Sequence, residues 1–363
     1  MRRKSSNAQK LKDTIYRDTK ILKIYSHFRS KLPRYKKNNS FLVAISGGPD
    51  SMALAAMSFV LKNEEKFKVF FALVDHGIRK NSNKEASNVK LILKKKGINI
   101  KILRNKKKIF NNIQKNARDI RYDLLRKFCK LKKIQNLLTA HHEDDQIETF
   151  LIRLSRGSGL EGLSSMNYKI KLESSISLIR PLLDIKKSDL IYISRKIFGK
   201  ILVDPSNKNK KFLRTNIRNL KKILEKKGIE TSKIIRSIKN LKSTKDAIDF
   251  YVNKSIKKFV SSKGNSTILD MRYFKKEPQE VRFRIINSIV KKRTNSYYPP
   301  RSKKVLNLIN RFENGKITKC TLGGCIFEKK RELLYVSREI WRMSKFYELI
   351  SEKKGNFVIF TVS

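Results

Sequence analysis

The chain has 363 residues, enough for two or three domains with real cores, and 39% of them are hydrophobic, which supports a folded protein. No apolar run approaches the ~20 residues of a helical membrane span. Lys and Arg number 86 against 31 Asp and Glu, a formal net charge of +55, and that field favours a polyanion. Charge alone does not separate RNA from DNA or from an anionic membrane. Three cysteines, Cys129, Cys320 and Cys325, are too few and too unevenly spaced for a disulfide framework. The basic start, Met1-Arg2-Arg3-Lys4, is followed by no apolar signal core, so the expectation is a cytoplasmic protein.

Residues 1–40 read as a basic lead-in with a helix around Ile21–Leu32, ended by Pro33. From Phe41 onward, strand-like and helix-like runs alternate. Strands are expected at Phe41–Ile45, Val69–Val74, Ile98–Leu103, Asn136–Ala140 and Ser177–Arg180. Among the helical runs, Ile113, Ala117, Ile120, Leu124, Phe128 and Leu131 recur at steps of three and four, an apolar stripe on one face. Five such alternations predict an α/β fold with a doubly wound, parallel five-stranded sheet and right-handed crossovers. After Asn207 the pattern changes to Lys-rich helices, expected at 211–227 and 232–260. Residues 206–242 carry 13 Lys or Arg against only Glu225 and Glu230. A smaller mixed region follows, with a strand at Thr267–Met271 and helices near Pro278–Lys292 and Ser302–Phe312. A hairpin around Gly323-Gly324 is expected to join strands Ile317–Leu322 and Leu333–Val336.

Ligands of a doubly wound sheet sit beyond the carboxyl ends of its strands. Three suggestive segments fall there: Ser46-Gly47-Gly48-Pro49-Asp50-Ser51 after the first strand, Asp75-His76-Gly77 after the second, and His141-His142 after the fourth. The glycine pair lets backbone N–H groups converge, and a helix N-terminus adds its positive dipole end, which suits phosphate oxygens. There is no Gly-Lys-Ser/Thr, so this is not the P-loop of ordinary ATPases. In the run Glu143-Asp144-Asp145-Gln146-Ile147-Glu148, Asp144 and Glu148 share a helix face and Asp145 lies three residues before Glu148. Like charges so spaced call for a compensating cation: Mg²⁺, an ammonium or a guanidinium. A solvated acidic first turn is the plainer alternative.

The ordered set Ser46–Ser51, Val74-Asp75-His76-Gly77, Asn112-x-Gln114-x-x-Ala117-Arg118-x-x-Arg121-Tyr122, Thr139–Thr149, Arg156-Gly157-Ser158-Gly159-Leu160 and Arg180-Pro181-Leu182-Leu183 resembles tRNA(Ile)-lysidine synthetase. Asp204-Pro205-Ser206-Asn207, Arg214-Thr215-Asn216-Ile217-Arg218 and Thr321-Leu322-Gly323-Gly324-Cys325 extend the likeness. The resemblance implies an ATP- and Mg²⁺-dependent ligase that attaches free L-lysine to C2 of the wobble cytidine of an isoleucine tRNA with a CAU anticodon, acting as a monomer or homodimer. It implies ATP binding by Ser46, Gly47, Gly48, Pro49, Asp50, Ser51, Asp75 and His76, and metal binding by Asp50 and Asp144. Lysine would meet Asp144, Asp145 and Glu148, and tRNA or the adenylated intermediate would meet Arg118, Arg121, Arg214 and Arg218. Asp50, Asp145 and Arg214 would be catalytic. Domains are expected at 1–35 (basic N-terminal extension), 36–218 (catalytic), 219–262 (basic helical linker) and 263–363 (small α+β, tRNA-binding).

The nearest rival on the same ATP-splitting scaffold is a tRNA thiolase, which needs a persulfide cysteine pair or a thiolate-held iron–sulfur cluster. Cys129 falls in an apolar-patterned helix, and Cys320 and Cys325 flank the expected hairpin turn, which disfavours that chemistry. A non-catalytic RNA-binding protein is a second rival. Tyr273-Phe274-Lys275-Lys276 and Tyr297-Tyr298 interleave aromatic and basic residues, a pattern that stacks unpaired bases and equally one that packs a core or hinge.

Overall fold

The unbroken apolar run of the first strand decides how the sheet is covered. In a computed structural model, which describes residues 2–33, 39–65, 67–78, 81–105, 113–173, 175–199, 213–294 and 300–339, Phe41, Val43 and Ile45 enter the core on one face. Leu42 and Ala44 enter the core on the other. A period of two buries both faces only when helices lie on both sides, as parallel crossovers require. The chain forms two compact units, Met1–Ser243 and Thr244–Ser363.

The first unit runs α1 (Arg2–Arg17), α2 (Thr19–Ser30), β1 (Ser40–Ile45), α3 (Pro49–Glu64), β2 (Lys68–Asp75), α4 (Ser82–Lys95), β3 (Lys101–Arg104) and α5 (Ile113–Leu131). It continues through β4 (Asn136–Leu138), α6 (Glu143–Leu154), α7 (Leu160–Leu163), β5 (Lys169–Lys171), β6 (Ser177–Ile179), α8 (Lys187–Phe198) and α9 (Leu213–Lys226). The sheet order is β3-β2-β1-β4-β6-β5. Five strands are parallel, as expected, and β5 pairs antiparallel with β6 as a sixth, edge strand that the sequence pattern did not reveal. Its three residues, Lys-Ile-Lys, offer one apolar side chain and no periodicity to detect. Chain order reverses between β1 and β4, so the crevice beyond their carboxyl ends is the switch point.

One core holds α3, whose residues from Ser51 to Leu61 are all buried, against the sheet with α8, α1 and α2. The lead-in contributes Leu11, Ile15, Ile21 and Phe28 to this core, so it packs as two helices. On the opposite face, Leu125 and Cys129 of α5 meet Leu42, Ala72 and Leu137.

Helix α10 (Thr231–Phe259) precedes the second sheet: β7 (Val260–Lys263), β8 (Ser266–Asp270), α11 (Met271–Phe274), α12 (Gln279–Thr294), α13 (Ser302–Glu313), β9 (Lys319–Leu322), β10 (Cys325–Lys330) and β11 (Leu333–Arg338). Its antiparallel order is β7-β8-β11-β10-β9, over a core that includes Phe274, Ile285, Phe312 and Phe327. The expected pairing across Gly323-Gly324 is corrected here. Those glycines, at φ +60° and +76°, join β9 to β10, and β11 follows as the third strand of a meander. Two consecutive positive φ values match a two-residue hairpin turn, which tolerates little beyond glycine or asparagine. The missed strand, Cys-Ile-Phe-Glu-Lys-Lys, ends in charged residues that read as loop. Val260–Lys263, expected to begin as helix, instead pairs with β8 across a Gly264-Asn265 turn.

If α1 belongs to the catalytic core, truncating the fully buried Ile15 should cost about 2–5 kcal/mol. Chemical denaturation of Ile15→Ala would reveal this; a midpoint matching the unsubstituted chain would make α1 an appendage.

Candidate functional site

Beyond β1 the chain must turn sharply into α3. Gly48 is the N-cap and Pro49 the first helical residue, a position where the missing N–H costs nothing. The first-turn N–H groups of α3 have no side-chain cap, an arrangement that suits an anion. Gly47 adopts φ +86°, and a Cβ there would lie 2.8 Å from Val89 Cγ2, so glycine is required twice over. Ser51 closes the loop: its Oγ accepts from the Ser46 N–H at 3.1 Å and from Ser46 Oγ at 3.2 Å, and donates to the Gly48 carbonyl at 2.9 Å.

The end of β2 supplies the next wall. Asp75 is buried and accepts the Gly77 N–H at 3.1 Å. Arg121, from α5, donates to His76 Nε2 at 3.3 Å. Burial, and then the Arg121 charge, lower the His76 pKa to about 4. Arg118, one turn earlier, lies 5.2 Å from the centre of the Tyr122 ring.

From β4, Thr139 to His142 lead into α6. Thr139 Oγ1 and His141 Nδ1 are 2.9 Å apart, and burial drives the His141 pKa down to about 3. His142 caps α6, and its N–H donates to Asp145 Oδ2 at 3.1 Å. Its imidazole is 3% exposed, with Nε2 at 3.5 Å from both Asp50 Oδ2 and Asp145 Oδ2. Burial opposes its charge, but the Asp50 hydrogen bond and the Asp145 and Asp50 charges outweigh that and raise its pKa. Burial likewise opposes ionisation of Asp145, and the two histidines outweigh it, holding the carboxyl below its usual range. Asp50 Oδ1 is buried and has no partner among the described residues.

These walls enclose a cavity of about 360 Å³, within the usual range of ligand pockets. Of the residues singled out from sequence, Ser46, Asp50, Ser51, Asp75, His76, Arg118, Arg121, Asp145 and Arg214 line it. Gly47, Gly48 and Pro49 shape the loop that feeds it. Asp144, Glu148 and Arg218 lie elsewhere, on the seam between α6 and α9. There Arg218 Nε meets Glu148 Oε1 at 2.6 Å and Lys221 Nζ meets Asp144 Oδ2 at 3.0 Å. Asn112, Asp204 and Asn207 lie outside the described residues. The sequence reading missed the bridging role of His142. Its signal was the position, immediately beyond β4 and at the cap of an acidic helix.

Gly47→Ala should lower unfolding stability by about 1–2 kcal/mol from the left-handed backbone alone. Adding Val89→Ala should recover only the clash, as denaturation of both variants would show. His76 supplies a pH test. Its folded pKa is depressed from 6.5 to about 4, so the unfolded chain takes up the proton first. Stability from this group is full above about pH 6.5 and is lost as pH falls through 4. His76→Gln should therefore flatten the stability profile over that window; an unchanged slope would exonerate His76.

The PP-loop domain family matches residues 17–226. The tRNA(Ile)-lysidine synthase of Wolbachia pipientis wMel is 34% identical over 313 residues, covering 85% of this chain and 72% of the relative. That of Orientia tsutsugamushi is 31% identical over 331 residues, covering 88% and 74%. Among solved structures, the U34-tRNA thiolase NcsA from Methanococcus maripaludis superposes with a TM-score of 0.51 at 20% identity, covering 62% of this chain and 79% of that one, a likeness of fold. With its glycine turn at the switch point and its match across both units, the chain belongs to the PP-loop family and, within it, to the tRNA(Ile)-lysidine synthases, which are carbon–nitrogen ligases.

Proposed function

We propose that this chain uses ATP to ligate free lysine to C2 of the wobble cytidine of an isoleucine tRNA with a CAU anticodon. The observation that carries the reading is the meeting of the β1–α3 loop, Asp145 and Arg214 around one cavity at the switch point. In the first step the cytidine O2 attacks the α-phosphorus of ATP. The bond from that phosphorus to the bridging oxygen breaks, pyrophosphate leaves, and the tRNA is adenylated. In the second step the deprotonated lysine amine attacks C2 and AMP departs with the oxygen.

The residues suit these steps. The unsatisfied N–H groups of the first turn of α3 would hold the pyrophosphate as its charge grows. Arg214, with Arg118 and Arg121, would present donors to the α-phosphate or to the tRNA backbone. Asp145 stays ionised, so it would hold and orient the substrate ammonium. The partnerless, buried Asp50 Oδ1 fits a hard cation shared with phosphate oxygens, which would make Asp50 the principal Mg²⁺ ligand. Asp144 is already engaged by Lys221 and is the second candidate. When bound, Mg²⁺ supplies charge neutralisation at the departing pyrophosphate. Glu148 and Asp144 would act mainly through α9, whose Arg218 and Lys221 they grip.

The thiolase alternative finds no support in the cysteines. Cys129 is buried against Leu125 and Leu42, where burial pushes its thiol up to about 12. It is not among the residues lining the cavity, and Cys320 and Cys325 belong to the second unit. No helix among the described residues is long and apolar enough to cross a membrane.

Incubation with ATP, Mg²⁺, labelled lysine and total tRNA should put label on RNA only when ATP is present; absence of RNA-linked label would reject the ligase. Asp50→Asn should cut pyrophosphate release at least about 100-fold while tRNA affinity stays nearly unchanged. Full turnover in that variant would remove Asp50 from the mechanism. Affinity for tRNA should fall by about 10³ or more between 50 and 200 mM salt if the basic helices α9 and α10 contribute several phosphate contacts. A flat response would reject them as a binding face.

A further inference from the structure

The second unit carries an aromatic surface that the chemistry above does not use. In α11, Phe274 is 1% exposed and anchors the helix in the core, whereas its neighbour Tyr273 is 45% exposed. Asp270 fixes this short helix from the preceding strand. Its Oδ1 accepts the Arg272 N–H at 3.0 Å and Arg272 Nε at 3.1 Å, and its Oδ2 accepts Arg272 Nη2 at 2.7 Å. The Tyr273 ring stacks on Phe259 at the end of α10, with centroids 6.3 Å apart and planes 12° from parallel. Lys258 Nζ lies 5.5 Å and Arg272 Cζ 6.0 Å from its centre.

We propose that Tyr273, backed by Phe259 and flanked by Lys258 and Arg272, is a stacking site for an unpaired nucleobase of the RNA substrate. The inference rests on the reading of the chain as a tRNA-modifying enzyme and deepens it by naming a contact remote in sequence from the cavity residues. Three features favour a base over a purely structural ring. Tyr273 is 45% exposed and already belongs to a two-ring stack, so it presents aromatic surface to which a further flat ring can add. Two cations lie over the ring, placed to meet the phosphates that accompany a stacked nucleotide. Arg272 is held as a planar fork by Asp270, so little side-chain freedom remains to be lost on binding. A ring that merely shields Phe259 could be replaced by any apolar side chain of similar size, and this difference makes the proposal testable.

The experiment compares the full chain with Tyr273→Phe, Tyr273→Leu and Tyr273→Ala, using fluorescence anisotropy of a labelled single-stranded oligoribonucleotide and of an RNA duplex of the same length. Tyr273→Phe should bind both as the unsubstituted chain does. Tyr273→Leu and Tyr273→Ala should weaken single-strand binding by about 5- to 150-fold, with duplex binding changed less than about twofold. The salt slope should be unchanged in these variants but shallower by about 0.7 in Lys258→Ala, because only the lysine releases a counterion. Thermal unfolding of Tyr273→Leu, expected to match the unsubstituted chain, guards against a folding defect. Unaltered single-strand affinity in Tyr273→Leu would overturn the proposal, as would an equal loss on duplex. Labelled-lysine transfer by the unsubstituted chain is scored in parallel. If it fails while the Tyr273 dependence holds, the ligase reading falls and the stacking site stands.

Discussion

His142 sits between two carboxylates that belong to different parts of the chain: Asp50 at the start of α3 and Asp145 at the start of α6, each 3.5 Å from the same ring nitrogen. The two helices follow β1 and β4, adjacent parallel strands whose carboxyl ends diverge at the switch point. A cleft there would put two negative charges near each other in a poorly solvated space. The buried imidazole lies against both, and with His141 it holds the Asp145 carboxyl below its usual range despite burial. Removing one partner of such a set leaves an uncompensated buried charge, which costs more than the net contribution of the pair. This bridge ties the start of α3 to the start of α6, whose Asp50 and Asp145 line the cavity.

The same electrostatic logic places α9. Glu148 is almost fully buried and Asp144 is beside it on α6, and α9 answers them with Arg218 and Lys221. Because Arg214 is one turn before Arg218 on the same helix, these pairs aim its guanidinium at the cavity. The acidic run at 143–148 thus divides its work: Asp145 faces the ligand space while Asp144 and Glu148 hold the element that carries the opposing charge. Such a seam confers position more than stability, since exchanging water for an ion pair gains little net free energy.

The turn between β1 and α3 works on a different principle. Its positive field comes from backbone dipoles, and no lysine is needed in it. That suits a protein whose cationic side chains are so abundant that specificity cannot come from charge alone. A net charge of +55 attracts polyanions in general, so discrimination must reside in shaped contacts such as those of the cavity in the first unit.

Much of this was legible in the residues before any coordinates. The continuous apolar run Phe41 to Ile45, the Ala- and Leu-rich run after Ser51, and the glycine pair between them determined a strand, a buried helix and a tight turn at the helix N-terminus, because each depends on neighbours within a few positions. The strand ends then located the cleft. Short polar strands such as Lys169–Lys171 and the tail of Cys325–Lys330 were not legible, since their pairing depends on a partner strand and their own side chains carry no period. Only the tertiary structure decided that Asp145 faces the cavity while Asp144 and Glu148 turn to Lys221 and Arg218. Spacing along a helix assigns residues to a face, but which cation meets that face is a long-range choice made by the packing of α9.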